Sequence, residues 1–206
     1  MTESPDYTIE SKDNDIEIRI YSGYILAQVD VEADYDQAIK IGFSILANYI
    51  FGGNKKSSKI SMTAPVTEEI VEKDVEKSEN IPMAAPVIEE AINEAEKIDM
   101  SVPVTEEIIG LHNYRISFTM PSKYTLETLP IPNDERIKFK EINNPKMAVL
   151  KFRGRVNHKL AQEKIEQLNE WLKKNNIKPK SNFLVAQYNH PAVPGVLRRN
   201  EILIEI

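Results

Sequence analysis

The feature that most constrains this fold is an order of elements that occurs twice along the chain. In each half, two short alternating segments are followed by an amphipathic helix and then by further strands. Alternation with period two predicts strands that bury one face, and a 3.6-residue period predicts helices. We therefore expect an α+β fold: a pseudo-duplicated, distorted antiparallel β-barrel with two helices.

The first half begins with residues 15–31, which predict a hairpin. Isoleucines alternate with charged residues up to Ile20, Ser22-Gly23 supplies a turn, and residues 24–31 form the return strand. Residues 34–51 predict a helix that Asp34 caps and Gly52-Gly53 stops. Its apolar residues form two adjacent rows, which predict deep packing against a sheet: Ala38, Ile41, Ile45, Tyr49 and Ile39, Phe43, Leu46, Ile50.

The second half repeats this order. Residues 113–120 predict a strand, and residues 136–142 and 147–153 predict a second hairpin with its turn at residues 143–145. Residues 157–175 predict the second helix, with an apolar face that includes Ala161 and Leu168. Residues 183–188 and 201–206 predict the closing strands.

An acidic segment with a repeated motif lies between the halves. The motif occurs at residues 62–70, 83–91 and 100–108, each copy with Met first and Pro-Val at its centre. Residues 67–97 hold ten acidic residues and three lysines, a net charge of −7, which leaves +1 for the rest of the chain. We expect a single domain over residues 1–206 with an acidic, repeat-containing insert at about 67–110. The first copy should enter the fold and the third should lead back to it.

Composition excludes several functions. The chain has no cysteine, so disulfides, zinc–thiolate sites and thiol nucleophiles are excluded. It has no basic face for nucleic acid, no apolar run of the ~20 residues that a membrane helix needs, and no N-terminal signal pattern, so we expect a cytoplasmic protein. It also lacks the hydrolase elbow, the phosphate loop and the zinc-protease motif, so we do not expect an enzyme.

Four stretches of the sequence resemble the SOUL haem-binding family. They are residues 49–54 with 59–66, residues 118–121 with 129–134, residues 148–154, and residues 187–191 with 198–202. The resemblance covers nearly the whole chain in the family's order. It implies a carrier, buffer or sensor that binds haem or another tetrapyrrole in an apolar groove beside the first helix. It implies haem or porphyrin as the partner and haem as the cofactor.

Haem needs apolar walls, cations for its two propionates and, optionally, an axial ligand. Ile41, Ile45 and Tyr49 are candidates for the wall, with plain core packing as the alternative. The resemblance points most strongly to Met62. Lys59, Arg198 and Arg199 are candidates for the propionates, with surface solvation or a structural pair with Glu201 as the alternative. The metal ligand is unknown: His190 is a marginal candidate, and Ile20 follows Arg19 where some family members carry histidine.

Two other functions stay open on the sequence alone. The fold also resembles effector-binding domains of bacterial regulators, so the groove could take another small amphipathic ligand. The same groove could also hold a small hydrolase site built from a buried glutamate and a tyrosine.

Overall fold

The computed structural model describes residues 4–56, 96–101, 103–110, 112–189 and 193–206. Lys59, Met62, His190 and most of the expected acidic insert lie outside these residues. No helix in the described part of the chain is long and apolar enough to span a membrane.

The described residues form eleven strands, two α-helices and one 3-10 turn, Gly195–Leu197. In chain order these are β1 Tyr7–Asp13, β2 Ile16–Tyr21, β3 Tyr24–Glu32, α1 Tyr35–Ile50, β4 Asn54–Lys55, β5 Val104–Gly110, β6 Asn113–Thr119, β7 Ile131–Pro132, β8 Lys138–Ile142, β9 Lys146–Arg153, α2 His158–Lys174, β10 Leu184–Gln187 and β11 Arg199–Glu205.

Nine of the strands form one antiparallel sheet in the order β1-β2-β9-β11-β10-β5-β6-β3-β8, and β4 pairs with β7 separately. The sheet curls into a half-barrel whose end strands are β1 and β8. Both helices lie on one face of it. Ile202 and its register partner Val185 face α2. The next register partners across the sheet are Glu106 and then Ile116, which faces α1. Side chains in register point to the same face, so the two helices share one face of the sheet. The predicted α+β class with two helices is confirmed.

The two predicted hairpins are wrong, although their strands are correct. β2 pairs with β1 and β9, whereas β3 pairs with β6 and β8. The first strand of each expected hairpin therefore pairs with the return strand of the other half. The repeated unit is β3-α1-β5-β6 and its counterpart β9-α2-β10-β11, and the two units exchange β2 and β8. Alternation shows which face of a strand is buried, but it does not identify the partner strand.

Helix α1 packs closely on β6 in the first half of the sheet. Gly42 lies so near this strand that an added Cβ would come within 2.3 Å of the Ile116 side chain. Leu46 and Tyr49 on the inner face of the helix are fully buried, and Phe43 packs edge-to-face against Phe118 with ring centroids 5.3 Å apart. The helix ends before Gly52, which has a positive φ of 118°.

Helix α2 covers the second half in the same way. The Asn157 side chain accepts a hydrogen bond of 2.9 Å from the Leu160 amide and caps the helix. Ala161, Leu168 and Leu172 are buried against strands β9, β10 and β11. Burying a leucine side chain contributes about 1.5–3 kcal/mol, so this face stabilises the helix.

The third copy of the repeated motif leads back into the fold. It forms β5, which lies in the middle of the sheet between β10 and β6. Just before it, Ile98 is fully buried and its amide donates to the Ile50 carbonyl at the end of α1. Residues 104–110 of the expected insert therefore belong to the sheet, and the domain boundaries as a whole stay a prediction.

Candidate functional site

The outer surface of α1 exposes part of its apolar stripe. Ile41 is 43% exposed and Phe51, the residue that ends the helix, is 61% exposed. Ile45, one turn after Ile41, is half-buried and packs against the core. Ile131 of β7, which pairs with Lys55 just beyond the helix, is also exposed. The helix itself contains no histidine, cysteine or methionine, so this surface offers apolar contact and no iron ligand of its own.

Tyr49 does not belong to this exposed surface. Its side chain is fully buried, and its hydroxyl donates a 2.9 Å hydrogen bond to the Pro130 carbonyl. Burial raises the pKa of the hydroxyl well above its usual value. Tyr49 therefore ties the connector around residue 130 to the helix, and only Ile41 and Ile45 of the predicted wall reach the surface.

Arg198 and Arg199 lie at the start of β11, in the other half of the sheet. Ile202 and Ile204 of this strand face α2, so Arg199 and Glu201 point to the opposite face. The Arg198 guanidinium donates to the Val193 carbonyl. The structure thus does not bring these arginines together with Ile41 and Ile45. The prediction that one macrocycle contacts both sets is not supported by where they lie.

Beneath Arg199 lies a buried ionic cluster centred on Arg19; sequence reasoning foresaw only the pair between Arg199 and Glu201. Arg19 is fully buried, and it donates to Glu17 at 2.7 Å and to both carboxylate oxygens of Glu201 at 3.0 Å. Tyr188 donates to Glu201 at 2.6 Å, and Lys151 donates to Glu17. The sequence signal was a charged pair, Glu17 and Arg19, at alternate positions of an otherwise apolar strand.

The cluster keeps its carboxylates charged in spite of burial. Burial works to raise the pKa of Glu201, but hydrogen bonds and charge from Arg19, with further bonds from Tyr188 and Arg199, hold the pKa below its usual value. Burial likewise opposes ionisation of Glu17, and bonds from Lys151 and Arg19 lower its pKa. Such a cluster is costly to break, because removing one partner leaves another charge buried and unpaired.

A second buried carboxyl, Glu106, lies on the helix face at the centre of the sheet. It is 5% exposed and accepts a hydrogen bond from the Tyr35 hydroxyl. The Tyr35 ring packs edge-to-face against Tyr114 and His158, with centroids 5.6 and 5.4 Å away. Burial raises the pKa of Glu106 to about 7, although the bond from Tyr35 lowers it in part. The signal in the sequence was a glutamate at an apolar position of an alternating strand.

The histidines of the described chain give no metal centre. His112, at a positive φ of 57°, lies 3.5 Å from Asp34, and His158 begins α2 with an exposed side chain. Within the residues that the structure describes, no group of three or more histidine, aspartate and glutamate side chains is arranged to hold a metal ion.

Comparisons with known proteins agree with the fold and point to one family. A model of the SOUL heme-binding protein family matches residues 2–87 and 71–205. Heme-binding protein 2 from Homo sapiens is 50% identical over 52 residues, and its Mus musculus counterpart is 43% identical over 60 residues. These alignments cover 25% and 29% of this chain and the same shares of the relatives. A structure described as a hydrolase from Listeria innocua is 10% identical with a TM-score of 0.50, covering 95% of this chain and 93% of its own.

Proposed function

This chain belongs to the SOUL heme-binding protein family, and on that premise we propose that it binds haem or a related tetrapyrrole beside α1, without catalysing a reaction on it. A carrier, buffer or sensor needs a surface that takes up and releases the macrocycle, and no catalytic group at that surface. The residues that we propose as the wall are Ile41 and Ile45.

The observation that carries this proposal is the uncovered apolar surface of α1. Most of the helix's apolar residues are buried in the core, but Ile41 is 43% exposed, and Phe51, at the end of the same helix, is 61% exposed. A flat apolar ligand can cover apolar side chains that a helix leaves exposed. Met62 and Lys59 follow α1 in the sequence, and we keep them as candidates for contact with the macrocycle and with a propionate.

The residues at this surface suit the porphyrin more than its iron. Flat apolar contact matches the macrocycle, and the exposed Lys40, Lys55 and Lys56 supply positive charge for the propionates. When bound, haem would supply an iron centre, but neither α1 nor the Ile20 position offers an axial ligand. We therefore expect iron-free porphyrin to bind about as tightly as haem, and His190 stays an untested candidate for iron.

A haemin titration followed by absorbance tests the proposal, with protoporphyrin in parallel. Saturable one-to-one binding is expected. The variant Ile41→Glu should weaken it by at least about tenfold, equivalent to about 1.4 kcal/mol. Ile9→Glu is the matched control, because Ile9 is also exposed, at 51%, but lies on β1 at the far edge of the sheet.

Two results would overturn the proposal. A titration without saturation would exclude tetrapyrrole binding and favour another amphipathic ligand. Equal weakening of haemin binding by both variants would show that the site does not lie at α1.

One observation favours an enzymatic alternative. Glu106 carries a pKa of about 7 and accepts a hydrogen bond from Tyr35, and a carboxyl that titrates near neutral pH suits general acid–base catalysis. Both side chains are less than 10% exposed, at 5% and 8%, so a substrate would need to open the space between the helices. Ester hydrolysis that is abolished by Glu106→Gln would favour this alternative.

A further inference from the structure

An open groove lies on the sheet face opposite the helices, away from α1. It has a volume of about 670 Å³ and lies between β1, β9, β11 and the 3-10 turn that precedes β11. Half of its lining residues are cationic: Lys151, Arg153, Arg198 and Arg199. Asp15 is the acidic residue among the others. This concentration of positive charge is notable because the whole chain carries a net charge of −6.

Two arginines in the groove lie directly opposite each other. Arg153 of β9 and Arg199 of β11 are register partners, so both side chains project from the same face. Like charges at such positions, about 4.5–5.5 Å apart at Cβ, destabilise a sheet. Among the described residues, no carboxylate lies within ion-pair distance of Arg153. The fold therefore gains nothing from this pair of like charges.

Arg199 is held in one orientation. Its guanidinium donates to Glu201 at 2.8 and 3.2 Å and stacks over the Tyr188 ring, 4.2 Å from the centroid. Its side chain is nevertheless 48% exposed. Because an arginine has five N–H donors and Glu201 takes two, donors remain free to point into the groove.

The buried cluster beneath does not neutralise this charge. Glu17 and Glu201 are paired with four cations, Arg19, Lys12, Lys151 and Arg199, which leaves two positive charges in excess. Arg153 adds a third positive charge and Asp15 of the groove lining offsets one. An anion with two negative charges would offset the excess that remains.

We propose that this groove binds a small organic dianion, a phosphate monoester or a dicarboxylate, between the guanidinium groups of Arg153 and Arg199. The planar fork of arginine forms paired, charge-assisted hydrogen bonds with such oxyanions. Tyr7 and Leu197 offer apolar surface to the body of the ligand. The site is separate from the α1 surface and does not depend on tetrapyrrole binding.

Calorimetric titration at low ionic strength tests the site with three probes. Phenyl phosphate and succinate carry the two candidate dianionic groups, and benzoate is the monoanionic comparison. At least one dianion should bind with one-to-one saturation and about tenfold more tightly than benzoate, and the probe that binds identifies the ligand class. The affinity should fall as sodium chloride is added.

Two variants that remove one positive charge each make the test specific. Arg153→Gln should weaken dianion binding at least fivefold and raise the melting temperature of the free protein, because it removes the repulsion from Arg199. Lys140→Gln, at an exposed position of the edge strand β8, should change neither. The proposal is overturned if neither dianion saturates, if both variants weaken binding equally, or if Arg153→Gln lowers the melting temperature.

Discussion

Replacing Glu106 by glutamine should remove a pH-dependent instability from this fold. Glu106 has a pKa of about 7 in the folded protein, against 4.5 for an ordinary glutamate. Below pH 4.5 the group is protonated in both the folded and the unfolded chain, so it has no effect on the pH dependence. Between pH 4.5 and 7 the unfolded chain loses its proton first, so the free energy of unfolding falls as the pH rises. Above pH 7 the loss is complete and constant.

The size of this effect follows from the two pKa values. The interval from 4.5 to about 7, at about 1.4 kcal/mol per pH unit, amounts to about 3 kcal/mol. Glutamine keeps the shape of the side chain and can still accept the hydrogen bond from Tyr35, but it has no charge to desolvate. Glu106→Gln should therefore match the original protein near pH 4.5 and exceed its stability by about 3 kcal/mol at pH 8.

Urea denaturation at pH 5 and pH 8 measures the difference. Glu17 and Glu201 have lowered pKa values and titrate below this range in both proteins, so their effects cancel. The matched control is Glu107→Gln, since Glu107 is adjacent but points to the other face of the sheet. The control should show no change in pH dependence. If the stability of Glu106→Gln differs from the original by the same amount at both pH values, the reasoning is refuted.

Three further substitutions test the packing and the buried polar groups. Gly42→Ala should destabilise the fold by about 1–3 kcal/mol in thermal denaturation, because the new Cβ would lie 2.3 Å from Ile116; helix propensity alone predicts a gain of about 1 kcal/mol. Arg19→Met should cost about 3–5 kcal/mol in urea denaturation, because it leaves two buried carboxylates without their main partner. Asn54→Ala should cost about 1–3 kcal/mol and speed hydrogen exchange of the Ile98 amide. The buried Asn54 side chain donates to the Tyr49 and Glu96 carbonyls at 2.7 Å and accepts from the Glu96 amide at 2.8 Å, and the substitution removes all three bonds.

Each of these has a control on the same element or of the same type. Ser44→Ala lies on the exposed side of α1 and should not destabilise it. Arg136→Met removes an exposed ion pair with Asp134 and should leave the stability almost unchanged. Asn48→Ala, exposed near the end of α1, should leave the Ile98 amide unaffected. Equal losses in a variant and its control would contradict the assigned contact.

The sequence predicted the elements well because each carries a periodic pattern. Both helices and strands β2, β3, β6 and β9 lie within a few residues of where alternation and capping signals predicted them. Strand β1 was missed, because an irregularity between Ile9 and Ser11 breaks its alternation and almost all of its residues are exposed. An edge strand that buries little apolar surface leaves little trace in the sequence.

Strand pairing and the polar clusters could not be predicted from the sequence. Ser22-Gly23 looks like a hairpin turn, but Arg19 finds a buried carboxylate partner in Glu201 only when β2 lies beside β9 and one strand away from β11. That requirement joins residues 182 positions apart, so no local pattern reveals it. The same holds for the candidate sites: Arg199 and Ile41 both carry suitable chemistry, and only the tertiary fold shows that they face opposite sides of a sheet.

The exchange of β2 and β8 has a consequence for synthesis of the chain on the ribosome. When residues 1–119 have emerged, β2 still lacks β9, β3 lacks β8 and β5 lacks β10. The nascent first half therefore presents three unpaired strand edges, which are sites for aggregation or chaperone capture. Neither half can complete its own sheet, so the native state should form only after release of β11, in a single cooperative and comparatively slow step. A stalled or truncated chain that lacks β9 to β11 should therefore not form a stable sheet.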